Sequence, residues 1–480
     1  MPQPGRYIIG VDNGSQSTKV VVYDLEGNAV AEGRQVLRAS NRPRPGIVEH
    51  PDDDLWDSIV AASRQALAAF KGDRSEIIGV GLCTIRCCKA FLRADGSLAQ
   101  PVMSWMDTRA YQPYMPDDPA VAYATTSSGY LTHRFTGEFR DTAANNILLQ
   151  WPIDADRWQW SDDAALLQQF NVRRDQLFQL QLPGEIAGHV TAAAAAATGI
   201  PAGLPVVVTA NDKAVEALGS GSLDDRTALI SLGTYIASMV HGERNRHDAQ
   251  HFWTNFGCVP GRYLYESYGI RRGMWTLTWF MDLLGPEFAA AAAARGVTRE
   301  QVLEQEALQV PAGSDGLMSV LDWLAPTDHP YRKGVMLGFD ARHTRAHGYR
   351  SILEAIALTM KDKVDAMATE LGTTLREVVI SGGGSSSSLF MQIFADVFGI
   401  PASRARGPGG ASLGSAICAA VATGVYPDFA TAVARMEKPR EAFAPNAANT
   451  EVYARMNAEV YRDIRHSTDQ VLERSWPLFH

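Results

Sequence analysis

The sequence predicts an α/β protein of two domains. Three observations carry that prediction: strand and helix patterns that alternate along the chain, a glycine-turned hairpin that occurs twice, and a length of 480 residues. A chain this long exceeds the size at which one hydrophobic core stops growing, so it divides. The division is placed at the polar stretch Leu223-Asp224-Asp225-Arg226, giving domains 1–222 and 223–480.

The first strand is Tyr7-Ile8-Ile9-Gly10-Val11-Asp12, broken by Asn13-Gly14, and Lys19-Val20-Val21-Val22-Tyr23-Asp24 returns as its hairpin partner. Residues 55–70 have helical apolar spacing, and residues 77–82 read as a buried strand. Pro205-Val206-Val207-Val208-Thr209-Ala210 is a further strand, ending at Asn211-Asp212-Lys213 before a helix. Asp212 therefore stands at a strand's carboxyl end, where open α/β sheets place ligands. The hairpin pattern then recurs: Ala228-Leu229-Ile230-Ser231-Leu232, a Gly233-Thr234 turn, and a strand over residues 235–240. A helix over 349–371, a strand over 378–381, and the run Gly382-Gly383-Gly384-Ser385 leading into a helix to Phe398 complete the second half with a helix over 413–421. The alanine runs at 192–197 and 289–294 read as helix. Apolar residues at Val452, Met456, Val460 and Ile464 predict an amphipathic helix over 451–472 that packs on one domain.

Composition narrows the function. A net charge of -9 gives no electrostatic reason to bind nucleic acid or an anionic membrane, and no run of about 18 apolar residues predicts a membrane span. Residues 1–10 lack the pattern of an export signal, and the five cysteines are few and odd in number. Both point to a cytoplasmic protein with a small-molecule ligand. Asn13-Gly14-Ser15 is then a glycosylation triplet in form only.

Phosphoryl transfer needs donors around the phosphate oxygens, a divalent metal and a base. The turns Gly14-Ser15-Gln16-Ser17 and Gly233-Thr234 are suited to present backbone N–H groups to one anion from opposite sides of a cleft; each alone reads as an ordinary tight turn, and it is their repetition that points to phosphate. Asp12, beside the first turn, suits Mg2+, which takes few carboxylates together with phosphate oxygens. Asp212 suits a general base, with a helix N-cap as its other reading. The run Gly382-Gly383-Gly384 lies between strand and helix without a Walker or dinucleotide pattern; the adenosine part of a nucleotide or a plain turn both fit it.

These residues resemble the FGGY carbohydrate kinases, which include glycerol, xylulose and ribulose kinases, over residues 7–430. The resemblance rests on Gly10-x-Asp12-x-Gly14-Ser15 with Lys19, Trp105-x-Asp107-x-Arg109, Tyr130-Leu131 with Thr136-Gly137-Glu138, and residues 198–203. It continues through Asp212, residues 231–234, Arg350 to Glu354, the glycine run with Gln392, and Ala411-Ser412-Leu413-Gly414. The resemblance implies two actin-like, ribonuclease H-like ATPase domains closing over ATP, Mg2+ and a sugar or polyol. It implies metal at Asp12 and Asp212, phosphate contacts from Gly14, Ser15 and Thr234 with Gln16, Lys19 and Gly233 in the same turns, and nucleotide contacts from Gly383, Gly384 and Ser387. The base falls on Asp212 and the substrate contacts on Arg86, Cys87, Trp105, Asp212 and Lys213; a homodimer is a further family expectation. Residues 15–19 and 85–88 resemble a bacterial subgroup of unassigned sugar substrate. Xylulose kinases carry Met-His, and glycerol kinases Arg-Glu, where Arg86-Cys87 stand here. The segment between Arg109 and Tyr130 is shorter than usual in the family, which predicts a reduced wall of the sugar site.

Two cations, Arg86 and Lys213, raise a sugar acid or other anionic sugar as an alternative to a neutral acceptor. A non-catalytic sugar sensor of the same fold is the second alternative, set against the presence of both Asp12 and Asp212. Gly410-Ala411-Ser412-Leu413-Gly414 fits the serine-hydrolase pattern, but the residues before it read as a loop rather than the strand a nucleophile elbow needs. Cys83, Cys87 and Cys88 lack the paired arms of a zinc site and read as buried thiols.

Overall fold

The computed structural model describes residues 6–479, except 148–149, 234, 327 and 406–409. The first sheet is built from β1 (Tyr7–Asn13), β2 (Ser17–Asp24), β3 (Ala29–Val36), β4 (Ile77–Thr84), β5 (Ile186–His189) and β6 (Pro205–Asn211), in the order β5-β6-β4-β1-β2-β3. The second contains β7 (Thr227–Leu232), β8 (Ile236–Gly242), β9 (Phe252–Phe256), β10 (Tyr263–Ser267), β11 (Glu377–Gly382), β12 (Ala402–Arg404) and β13 (Glu441–Phe443), in the order β9-β10-β8-β7-β11-β12-β13.

The two sheets follow one plan. In each, a hairpin (β1/β2, β7/β8) extends antiparallel to a third strand, and the hairpin's first strand pairs in parallel with a strand from later in the chain, β4 or β11. A second parallel strand, β6 or β12, and an antiparallel edge strand follow on that side. The apolar runs of β1, β4, β6 and β7 are buried on both faces, as parallel sheets covered by helices require. Helix α1 (Asp54–Ala69) buries Leu55, Ile59, Ala62 and Ala66 against the first sheet, the stripe that its 3.6-residue period predicts.

Four more helices matter for the site: α2 (Asp212–Gly219), α3 (Arg345–Leu371), α4 (Ser388–Phe398) and α5 (Gly410–Ala422). Although α5 lies between β12 and β13 of the second sheet in the chain, it packs against β1, β4 and α2 of the first. The approach is so close that a Cβ on Gly10 would lie 2.0 Å from the Ser412 carbonyl oxygen, and one on Gly81 1.9 Å from that of Ser415. Ser412 is buried and hydrogen-bonded to the Tyr23 hydroxyl at 2.8 Å, so the G-x-S-x-G motif is a packing surface between the two halves.

The C-terminal segment is helical, as expected, but buries a different face. It comprises α6 (Ala447–Met456), a π turn over Asn457–Tyr461 and α7 (Arg462–Ser475). Val452 and Val460 are exposed, while Tyr453, Asn457, Tyr461 and Ile464 are buried. The mismatch is present already in α6, where Tyr453 rather than its neighbour Val452 turns inward, and Ile464 of the expected stripe is buried beside Tyr461. Tyr453 anchors the segment by donating to Glu354, itself paired with Arg350 at 2.8 Å, which gives the Arg350 to Glu354 motif a structural role. Among the described residues, no helix is long and apolar enough to cross a membrane.

Candidate active site

Three neighbouring parallel strands, β1, β4 and β6, end on the same edge of the first sheet, and Asp12, Arg86 and Asp212 stand at or just beyond those ends. This is where the strand order brings side chains from distant parts of the chain together. Asn211, not Asp212, caps α2, accepting from the Ala214 N–H at 3.1 Å. Asp212 is the first helical residue, and its carboxylate meets the positive end of the helix while facing the cleft.

A cavity of about 840 Å³ opens over these strand ends. Its floor is ionic and spans both halves. Arg86 forms a bidentate pair with the buried Glu266 of β10, at 2.6 and 2.8 Å, and its Nε lies 3.8 Å from Asp212 Oδ1. Lys213 donates to Glu216 at 3.0 Å and to Ser231 at 2.6 Å. Glu216 also accepts from Ser231 and, at 2.6 Å, from Ser381, so a carboxylate of the first half is held by hydroxyls at the ends of β7 and β11.

The charges shift one another. Burial, then Asp212 and Glu216, push the Asp12 carboxyl up to about 7, against the pull of Lys19 and Lys213. Burial also raises Asp212, and Arg86 and Lys213 oppose it. Glu216 is held below its ordinary value because Lys213 and the Ser381 and Ser231 hydroxyls outweigh its burial. A base raised by desolvation, with neighbouring cations favouring its charged form, is suited to accept a hydroxyl proton.

Above the floor, Trp105, Tyr111, Cys87, Trp253 and Asn255 form the walls. Trp253 lies beneath the Arg86 guanidinium at 5.2 Å. Burial pushes the Cys87 thiol up to about 11, so it serves as a wall rather than a nucleophile. A short hairpin, Ile153–Asp154 with Gln159–Trp160, closes one side, with Trp158 donating to Tyr263 at 3.1 Å and Asp156 facing His247 at 3.0 Å. Tyr111, from the segment after Arg109, reaches the cavity.

Of the residues expected from sequence, Ser15, Arg86, Cys87, Trp105, Asp212, Lys213 and Gly233 share this cavity. Gly14 and Gln16 lie in the adjoining turn, where the Gly14 N–H donates to the Ser17 carbonyl at 3.2 Å. Lys19 pairs with Asp12 across the β1–β2 ladder. Gly383, Gly384 and Ser387 lie outside the lining, on the β11–α4 connection. There Gly382, at φ +83°, passes close against Leu232, while the space above Gly383 is open. Ser387 caps α4 and donates to Glu304 at 2.9 Å. Thr234 lies outside the described residues.

Sequence reading missed Glu216 and Glu266. Glu216 follows Lys213 by three residues, one helical turn, and Glu266 interrupts an apolar strand; both are signals of a buried charge.

Comparison with known proteins agrees with this geometry. Residues 7–115 match the N-terminal domain, and residues 228–423 the C-terminal domain, of the FGGY family of carbohydrate kinases. The chain belongs to this family. It is 50% identical over 475 residues to the uncharacterized sugar kinase YgcE of Escherichia coli K12, covering 99% of this chain and 96% of that one. It is 26% identical over 507 residues to the autoinducer-2 kinase of Klebsiella pneumoniae, covering 95% and 94%. The crystal structure of xylulose kinase from Rhodospirillum rubrum superposes with a TM-score of 0.83 at 24% identity, covering 98% of this chain and all of that one. The fold is therefore the two-domain actin-like ATPase fold of FGGY kinases, and the enzyme is a phosphotransferase acting on a hydroxyl. FGGY kinases use ATP. Membership removes the sensor and hydrolase readings.

Proposed function

We propose that this FGGY kinase phosphorylates a hydroxyl of a neutral sugar or polyol, with Asp212 as the base. The observation that carries the choice of a neutral acceptor is the charge balance of the cavity floor. The two cations that suggested an anionic substrate are already matched, Arg86 by Glu266 and Lys213 by Glu216. With Asp12 and Asp212 added, carboxylates outnumber cations on the floor even when Lys19 is counted. An anionic acceptor would meet repulsion rather than a free guanidinium.

In this reading, Asp212 takes the proton of the acceptor hydroxyl as that oxygen bonds to the γ-phosphorus. The bond from phosphorus to the bridging oxygen breaks, and ADP leaves. Arg86 and Lys213 oppose the burial that raises Asp212 and so favour its charged form, and the turns at Ser15 and Gly233 face the phosphates from the two halves. Asp12 fits a place beside Mg2+: burial, and then the negative charges of Asp212 and Glu216, have driven its carboxyl up to about 7, a charge crowding that a divalent cation would relieve, and phosphate oxygens would complete the ligand set. The ion would neutralise charge developing on the transferred group. The nucleotide's remainder would lie along the open backbone at Gly383. We place the enzyme in the cytoplasm, where ATP is available, with its two lobes dividing near residues 222 and 223.

ATP consumption against neutral pentuloses, hexuloses and alditols, alongside aldonates, tests this reading. Turnover on neutral compounds is expected. Turnover confined to aldonates would overturn the neutral assignment.

A further inference from the structure

A second cavity, of about 350 Å³, lies in the second half beside the acceptor cavity, and Tyr268 is the one described residue that lines both. One face of α3 supplies Asp362 and Lys363, α7 supplies Arg462 and Arg465, and the chain around Val320 and Leu321 forms an apolar floor. Its size falls within the range of small-molecule sites, about 300 Å³ and upward.

The charges in it are not all matched. Arg465 is committed to the buried Asp322, at 3.1 and 3.2 Å. Asp362 accepts from Asn457 at 2.9 Å and stands 3.7 Å from Arg462, beyond hydrogen-bond reach. Lys363 has no hydrogen bond or ion pair with any described residue. Burial, and then the neighbouring Arg465, hold its ammonium below the ordinary lysine range and outweigh the more distant pull of Asp362 and Asp322.

We propose that this cavity binds a small phosphomonoester, with Lys363 and Arg462 on the phosphate and the carbon skeleton against the apolar floor. Lys363 makes no direct ion pair among the described residues and Arg462 is only loosely held, which suits a dianion better than a carboxylate's single charge. The cavity is too small for a nucleotide with its base and two or three phosphates.

Calorimetric titration of the full chain with ribose 5-phosphate, and separately with inorganic phosphate, tests the site by binding alone, so its result does not depend on the acceptor assignment above. Binding is expected in the wild type and equally in Asp212→Asn, and at least tenfold weaker in Lys363→Met and in Arg462→Met. Lys363→Met is expected to melt no lower than the wild type, since it removes an unpaired charge. Arg462 is largely exposed, so its replacement is a second variant that keeps the fold. Tighter binding of the ester than of phosphate identifies a phosphorylated metabolite as the ligand; equal binding identifies free phosphate. Absence of binding by both anions, or binding unchanged in Lys363→Met, overturns the proposal.

Discussion

Arg86, just beyond β4 of the first sheet, and Glu266, in β10 of the second, meet in a buried bidentate ion pair at 2.6 and 2.8 Å, which joins the two halves across the floor of the catalytic cleft. The pair leaves one guanidinium edge, Nε, facing the base at 3.8 Å. Its geometry therefore sets both the charge of the acceptor site and the distance between Arg86 and Asp212.

Glu266→Gln breaks this balance. Removing one partner of a buried pair costs about 3 kcal/mol, so the melting temperature should fall. Released from Glu266, Arg86 is expected to close on Asp212 and compete for its proton-accepting oxygen, lowering kcat about tenfold. The double variant Arg86→Met/Glu266→Leu should recover most of the stability, because an apolar pair of similar volume replaces the charges. Its acceptor KM should remain raised. Thermal melts and steady-state kinetics on the three proteins check the set.

Asp212→Asn tests the base directly. Asn211 caps α2 and would keep doing so, so the substitution should leave the fold intact. Loss of a general base lowers kcat by about 10²- to 10⁴-fold while acceptor binding persists. Calorimetry with the acceptor, next to a coupled assay for ADP, separates the two effects. Unchanged kcat would remove Asp212 from the mechanism.

The contrast between Asp212 and Glu266 shows what the sequence discloses. Asp12 and Asp212 are legible because each ends an apolar run and precedes a turn or helix, a local signal that parallel-sheet topology turns into a site. The repeated hairpin disclosed the duplicated architecture for the same reason. Glu266 is illegible in its role because its partner lies 180 residues away in the chain. In the sequence Arg86 and Lys213 raise an anionic substrate as an alternative, since nothing local reveals that Glu266 and Glu216 pair with them. The tail failed differently: helix was legible, but Tyr453 and Tyr461, which an aliphatic count passes over, take the buried face in place of Val452 and Val460.

His241, in β8, is buried with its Nε2 unpartnered, and burial pushes its imidazole down to about 4 despite the pull of Asp224 and a backbone contact at Ser222. Between this value and the ordinary 6.5, the unfolded chain binds the proton and the folded chain does not. Stability is therefore fully present above pH 6.5 and declines as pH falls toward 4, by about 3 kcal/mol from this residue. Urea titrations at pH 7 and pH 5 should show the loss. His241→Leu should flatten that part of the profile.

Gly10→Ala tests whether the contact between α5 and the first sheet holds the catalytic edge in place. The new Cβ would lie 2.0 Å from the Ser412 carbonyl oxygen, and backbone on both sides leaves no flexible side chain to yield. Overpacking of this kind costs about 1–3 kcal/mol, and here the strain falls on β1, two residues before Asp12. Relief by moving α5 outward would also disturb α2, which packs on the same helix and carries Asp212, Lys213 and Glu216. Gly10→Ala should therefore lower kcat as well as the melting temperature. Ser412→Ala, which removes the Tyr23 hydrogen bond but adds no volume, should cost about 1 kcal/mol and leave kcat near wild type. A Gly10→Ala protein that loses stability but keeps full turnover would show that α5 supports the fold without positioning the site.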